Sequence, residues 1–222
     1  MPTEINYRRL IRNFHSYERA QVIDYSLIAE ACEYYELFGY SRIEVPWWAT
    51  ADIVNITKPT GVSEDNNYQL SVNGKCLLAS GEQGFLYLAN KGQLPPGRYQ
   101  TVTPCFRNEP YDRYHVKHFM KLELIQLCNT PIEQSSVEQL AGDALALFKK
   151  LAPTADLRII KTGVKDPIAL PFTEQLDIVL HISDKQQIEL GFYGARHAPF
   201  AVWLYGTGIA EPRFSRAMRE AS

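Results

Sequence analysis

Residues 101–127 read TVTPCFRNEPYDRYHVKHFMKLELIQL, two strand-like runs joined by a short charged turn. Arg107 and Glu109 close the first run, His115 opens the second, and Phe119 and Glu123 follow four residues apart. In an extended chain these steps of two fall on one face. A sheet face carrying an arginine, two carboxylates and an aromatic ring is not built for a core. A guanidinium fork suits a phosphate, a carboxylate accepts from an exocyclic amine, and a phenyl ring offers a stacking surface for a purine. The pattern predicts a nucleotide site, and a surface hairpin laced by ordinary ion pairs is the plainer reading of the same residues.

Composition narrows the class of protein. The chain has 222 residues, 45% hydrophobic and 22% charged, enough for one well-buried core, so residues 1–222 are expected to form a single domain. A formal net charge of −2 and a pI near 6.2 give no global attraction to nucleic acid, so any RNA contact would be local. Cys32, Cys76, Cys105 and Cys128 form no CxxC or CxxH pair, which argues against a zinc knuckle or a disulfide framework. With no signal-peptide pattern and no apolar run near the ~20 residues a membrane helix needs, the expectation is a soluble, cytoplasmic protein without a membrane partner.

Around the charged hairpin the chain alternates helices and strands. Residues 18–38 carry Ile23, Leu27, Ile28, Ala31, Tyr34 and Tyr35 at helical spacing and stop at Gly39, and the following YSRIEVPWW is strand-like to Pro46. Polar residues 55–67 read as a loop, either over a site entrance or simply on the surface. Asn73-Gly74 then marks a hairpin whose second strand leads to Ser80, Gly81, Glu82 and Gln83. Pro95-Pro96-Gly97 is a turn. A helix is predicted from about Ser135, with Val137, Leu140, Ala144, Leu147 and Leu151 on one face and Pro153 beyond its end. LRIIKTG, TEQLDIVLHI and QQIELGFY follow as strands, the last two separated by Ser183-Asp184-Lys185.

Finally FAVWLYGTGIAEPRFSRAMRE reads as a strand, a Gly-x-Gly turn and a helix starting near Glu211 or Pro212, with Arg213 in its first turn. Gly206 and Gly208 would let backbone approach a ligand, and an arginine in a first helical turn adds charge where anions already bind.

Taken together these segments resemble the catalytic core of class II aminoacyl-tRNA synthetases, most nearly its seryl, histidyl and prolyl subclass. FRNE with HVKHF is similar to motif 2, the helix and strand ending at Pro46 to motif 1, and GTGIAEPR to motif 3, in the family's order along the chain. Pro212 stands where many members carry an acidic residue before the motif 3 arginine. The resemblance implies an α+β fold with a mainly antiparallel sheet flanked by helices.

It also implies roles. Arg107 would hold the α-phosphate of ATP, Glu109 the adenine amine and Phe119 the adenine ring, with Arg213 and His115 on the leaving pyrophosphate and Gly206 and Gly208 near the nucleotide. Glu189 would hold ATP-bound magnesium, an exposed strand carboxylate being its alternative. Ser80, Glu82 and Glu123 would receive the amino acid; for Glu82, charge at a helix N-terminus is an equal reading. The implied reaction is ATP-dependent formation of an aminoacyl-adenylate, passed to a tRNA end, a carrier protein or a small molecule. A non-catalytic paralogue that binds a nucleotide or amino acid is the alternative. A homodimer through residues 18–48 is expected, with both tryptophans packing inside one subunit as the other possibility. No anticodon-binding domain or tRNA-binding arm is legible, so a free-standing catalytic domain is the expectation.

Overall fold

The structure is a computed structural model that describes residues 22–58, 67–70, 74–108, 112–162 and 166–221. The first helix among the described residues, α1 (Tyr25–Glu36), starts where the Asp24 carboxylate accepts from the backbone N–H groups of Ser26 and Leu27. It buries Ile28, Ala31, Cys32 and Tyr35, one stripe at helical spacing, and the chain leaves it through Gly39 at φ +79. The portion expected before Val22 lies outside the described residues.

Two short strands follow, β1 (Ser41–Arg42) and β2 (Trp48–Thr50), and then α2 (Ala51–Ile56). This helix takes Asn55 and Ile56 out of the loop expected over 55–67, because Ile53 and Val54 are buried and commit the segment to the core. β3 (Lys75–Leu77) pairs antiparallel with β2. Of the turn expected at Asn73-Gly74, Gly74 sits at φ +60, the conformation glycine adopts without steric cost, while Asn73 lies outside the described residues. The helix start that is one of two readings of Glu82 is present as α3 (Gly81–Asn90), with Glu82 in its first turn and Phe85 and Leu86 buried.

The charged hairpin is present as β4 (Gly97–Phe106) and β5 (His118–Cys128), paired antiparallel in register from Gly97 opposite Leu127 to Phe106 opposite His118. α4 (Gln134–Leu151) buries Val137, Leu140, Ala144 and Leu147 as its periodicity predicts. β6 (Leu157–Lys161), β7 (Leu176–Ser183), β8 (Gln186–Ala198), β9 (Ala201–Glu211) and α5 (Arg213–Ala221) complete the chain. The seven-stranded sheet runs β1-β4-β5-β9-β8-β7-β6, antiparallel except for β1 beside β4.

Each face of this sheet has its own apolar cluster. Leu122, Leu124, Tyr193 and Ile209 pack under α1 and α4, whereas Ile125, Leu127, Trp203 and Tyr205 pack under α2 and α3. Strand alternation explains the split, since even positions of β5 face one layer and odd positions the other. α2 and α3 cover only the part of the second face nearest the Leu127 end of β5. The rest of that face is open, and the odd residues Phe119, Lys121 and Glu123 line the cavity there.

No Gly-x-Gly turn interrupts β9. Thr207 opposes Glu123 and Ile209 opposes Leu122, so Gly208 is the extra residue of a β-bulge inside a continuous strand. Bulk at either glycine would be directed into the α1/α4 layer. A Cβ on Gly206 would come within 2.6 Å of the Tyr193 ring, and one on Gly208 within 2.6 Å of Leu122. Their absence of side chains serves core packing.

Candidate active site

The open part of the sheet face holds a cavity of about 270 Å³ lined by residues from α2, α3 and strands β5, β7, β8 and β9. Arg107, immediately after β4, is fixed at the rim, its Nε donating to the Ala79 carbonyl at 3.0 Å and its backbone N–H to the Lys117 carbonyl at 2.9 Å. Its guanidinium carbon lies 5.2 Å from the centre of the half-buried Phe119 ring. Arg213, in the first turn of α5, donates from Nε to the Tyr114 carbonyl at 3.3 Å, and its Nη1 is 3.7 Å from Glu189 Oε1. Two guanidinium groups and a phenyl ring therefore edge one opening.

Also lining the cavity, Ser80 occupies the N-cap position of α3 without capping it, because its hydroxyl donates to Glu123 Oε2 instead. Lys121 Nζ sits 2.9 Å from Glu123 Oε1, so the almost fully buried Glu123 is neutralised by a neighbour two residues away on the same strand face. Gly81 is needed here, since a Cβ would lie 3.0 Å from the Glu123 Cβ.

Four expected residues are placed differently. Glu82 reaches the cavity wall but both its oxygens are occupied: Arg196 Nη1 donates at 2.5 Å and Trp203 Nε1 at 2.6 Å. It is a buried structural anion in the first turn of α3. Burial raises its carboxyl pKa and the Arg196 charge opposes that rise. His115 does not open β5, which begins at His118. It stands exposed in the connecting segment, its Nδ1 2.6 Å from Asp112 Oδ2, and borders a small crevice beside the cavity with Tyr114 and Pro212. Gly206 and Gly208, as described, are not among the cavity-lining residues. Glu109 lies outside the described residues.

Sequence reasoning missed the floor. Arg196 on β8 bridges Glu82 and Asp166, with Nε 2.6 Å from Asp166 Oδ2, and its guanidinium carbon lies 4.0 Å above the Tyr205 ring centre. Burial works against its charge, yet Glu82, Tyr205 and Asp166 hold it more firmly protonated than a free arginine. Gln175 Nε2 donates to both Asp166 Oδ2 and the Tyr205 hydroxyl at 2.7 Å. Asp177 on β7 also lines the cavity, its carboxyl raised to about 6 by burial, with Glu189 adding to the rise and Thr162 opposing it. The available signal was an aspartate inside the apolar run LDIVLHI and an arginine inside GFYGARHA, charges that a buried strand does not carry without a partner or a ligand.

Among the described residues no group of three or more His, Cys, Asp or Glu side chains is arranged to hold a metal, and no helix is long and apolar enough to cross a membrane.

No protein-family model matches the chain, and no curated protein matches it. Solved structures do. The cytoplasmic serine-tRNA ligase of Naegleria fowleri, in complex with AMP, superposes with a TM-score of 0.69 at 17% identity over 87% of this chain and 52% of that one. Seryl-tRNA synthetase of Pyrococcus horikoshii, complexed with ATP, gives 0.66 at 18% identity over 87% of this chain and 49% of that one. The pyrrolysyl-tRNA synthetase PylSc of Desulfitobacterium hafniense gives 0.64 at 15% identity, covering 89% of this chain and 69% of that one. The chain spans about half the length of the two seryl enzymes. At these identities the likeness is one of fold, and the fold is the class II aminoacyl-tRNA synthetase catalytic core.

Proposed function

We propose that this chain activates an amino acid with ATP, forming an aminoacyl-adenylate and releasing pyrophosphate. One observation carries the reading: Arg107, Phe119 and Arg213 edge the same cavity that the Ser80 and Glu123 pair lines. Two of the neighbours sharing this fold were solved with AMP and with ATP, which supports a nucleotide here.

ATP enters with its adenine against Phe119 and Arg213 and its α-phosphate on Arg107; Glu109 is assigned to the adenine amine. The substrate carboxylate oxygen attacks the α-phosphorus, the bond to the bridging oxygen breaks, and pyrophosphate leaves with its charge facing Arg213 and, through the adjoining crevice, His115. Such a displacement needs alignment and charge neutralisation more than proton transfer. Ser80 and Glu123 receive the substrate ammonium, and Glu82 acts through Arg196 to keep the floor rigid.

Magnesium suits the site on its donor chemistry. The Glu189 carboxylate is half exposed beside Arg213, and magnesium is commonly held by one or two carboxylates together with substrate phosphates. When bound, it would supply charge neutralisation on the phosphates.

The adenylate would pass to a tRNA end, a carrier protein or a small molecule. Two copies would associate through α1, β1 and the segment to Trp48, where Leu37 and Trp47 are exposed. Amino-acid-dependent exchange of pyrophosphate into ATP tests activation without requiring a known acceptor. Absence of exchange with every amino acid, at saturating ATP and magnesium, would refute it.

A further inference from the structure

Strand pairing sets four cavity-lining side chains in one row across the sheet. Glu123 on β5 opposes Thr207 on β9, and Phe192 on β8 opposes Asp177 on β7. Tyr193 opposite Gly206 brings Phe192 beside Thr207, and the Phe192 N–H donates to Thr207 Oγ1 at 3.3 Å. Neighbouring strands lie about 4.8 Å apart, so the Glu123 and Asp177 backbones are separated by roughly 14 Å. The row is an acid at each end with a hydroxyl and a phenyl ring between.

The four carboxylates among the described residues that line the cavity are not equivalent. Glu82 is saturated by Arg196 and Trp203, Glu123 is held by Ser80 and Lys121, and Glu189 leans toward Arg213. Asp177 differs, because although Thr162 hydrogen-bonds its carboxyl, Oδ1 is buried with no hydrogen-bond partner among the described residues. A carboxylate oxygen withdrawn from water and left unmatched costs free energy until a ligand donor meets it. The nearby Arg196 charge does not repel a cation, since Glu82 and Asp166 flank it.

We propose that the amino acid activated here carries a second amine, as lysine and ornithine do, its α-ammonium at Glu123 and its side-chain ammonium at Asp177. This deepens the activation reading and rests on it. With hydrogen bonds of about 2.8 Å at both ends, roughly 8 Å remains for the molecule, the span of a diamino acid rather than of alanine or serine. Its methylenes lie along Phe192. An apolar analogue of the same length fills the space but leaves Asp177 uncompensated, and sites built for a polar group reject analogues that lack it far more strongly than they reject a missing methylene.

The test is pyrophosphate exchange by the full chain at fixed magnesium with lysine, ornithine, norleucine, glutamine, serine and glutamate. Lysine or ornithine is expected to exceed norleucine at least a hundredfold in kcat/KM. Asp177→Asn should shrink that preference to within tenfold, through the KM for the amino acid, while the KM for ATP stays unchanged. Efficient exchange with serine or another uncharged amino acid in preference to lysine and ornithine overturns the proposal but leaves the activating site standing. No exchange with any amino acid overturns both. A variant that keeps the lysine preference, or whose defect is a raised magnesium requirement, assigns Asp177 elsewhere and also overturns it.

Discussion

The hydroxyl of Tyr35 in α1 donates to the carbonyl of Gly208 in β9 at 3.2 Å, joining the first described helix to the bulge of the strand that leads into Arg213. The bond is fully buried, and the carbonyl it satisfies belongs to the bulge residue. Tyr35→Phe should therefore destabilise the protein by about 1–2 kcal/mol, the cost of leaving one buried acceptor without its donor. Urea denaturation with an unchanged slope would register it.

Arg107→Ala should reduce pyrophosphate exchange by a hundredfold or more, the usual effect of losing a group that neutralises developing charge. The fold should survive, because Arg107 is only partly buried and the change removes one bond to the Ala79 carbonyl. Full activity in a variant with native circular dichroism would place the chemistry elsewhere.

Glu82→Ala should act on stability first. It removes the acceptor of Trp203 Nε1 and one of the two anions flanking the buried Arg196, and breaking such a pair costs about 3–5 kcal/mol. A direct ligand of the substrate would show the opposite pattern, weakened amino-acid binding in a protein of normal melting temperature.

Asp177 makes stability depend on pH in a direction opposite to most acids. Burial first, and then Glu189, raise its carboxyl to about 6 in the fold, whereas an unfolded aspartate titrates near about 3.9. Between those values the native protein holds a proton that the unfolded chain releases, so this group's contribution makes the fold more stable as pH falls. Asp177→Asn should exceed the wild type by about 1 kcal/mol at pH 7.5, allowing for solvent screening at a partly exposed position. The advantage should fade as pH drops toward about 4. Denaturation of both proteins in chelator-treated buffer across this range measures it.

Sedimentation at micromolar concentration should show a species of about twice 25.3 kDa. With 23 lysines and arginines against 25 acids, the same protein should bind total tRNA no tighter than micromolar near physiological salt. A monomer at every concentration, or a nanomolar and selective tRNA complex, would contradict these two expectations respectively.

The parts legible in the sequence were those with one dominant period. α1 and α4 bury the stripes their spacing marks out, and β4 and β5 form the hairpin whose residues include Arg107 and Phe119. α2 was hidden because Thr50 to Ile56 mixes strand-favouring residues with a polar end, and only its neighbours bury Ile53 and Val54. Glu82 misled because a carboxylate at a helix start looks the same whether it meets solvent, a substrate or, as here, an arginine 114 residues away. Asp177 showed in the sequence only as a charge inside an apolar run, and its neighbours across the sheet did not show at all. Its alignment with Glu123 depends on the order of four strands, which no local pattern encodes.

The bulge at Gly208 has an evolutionary consequence. Side chains of a strand alternate, so one additional residue changes which positions beyond it look toward the cavity, and that shift lets both Thr207 and Ala210 do so. Loss of Gly208 would turn the end of β9 over and swing Arg213 away from Arg107. The walls of this cavity can drift by exchange of side chains, but the tally of residues between Thr207 and Arg213 cannot, and insertions or deletions there should be absent from any descendant that keeps both arginines at one opening.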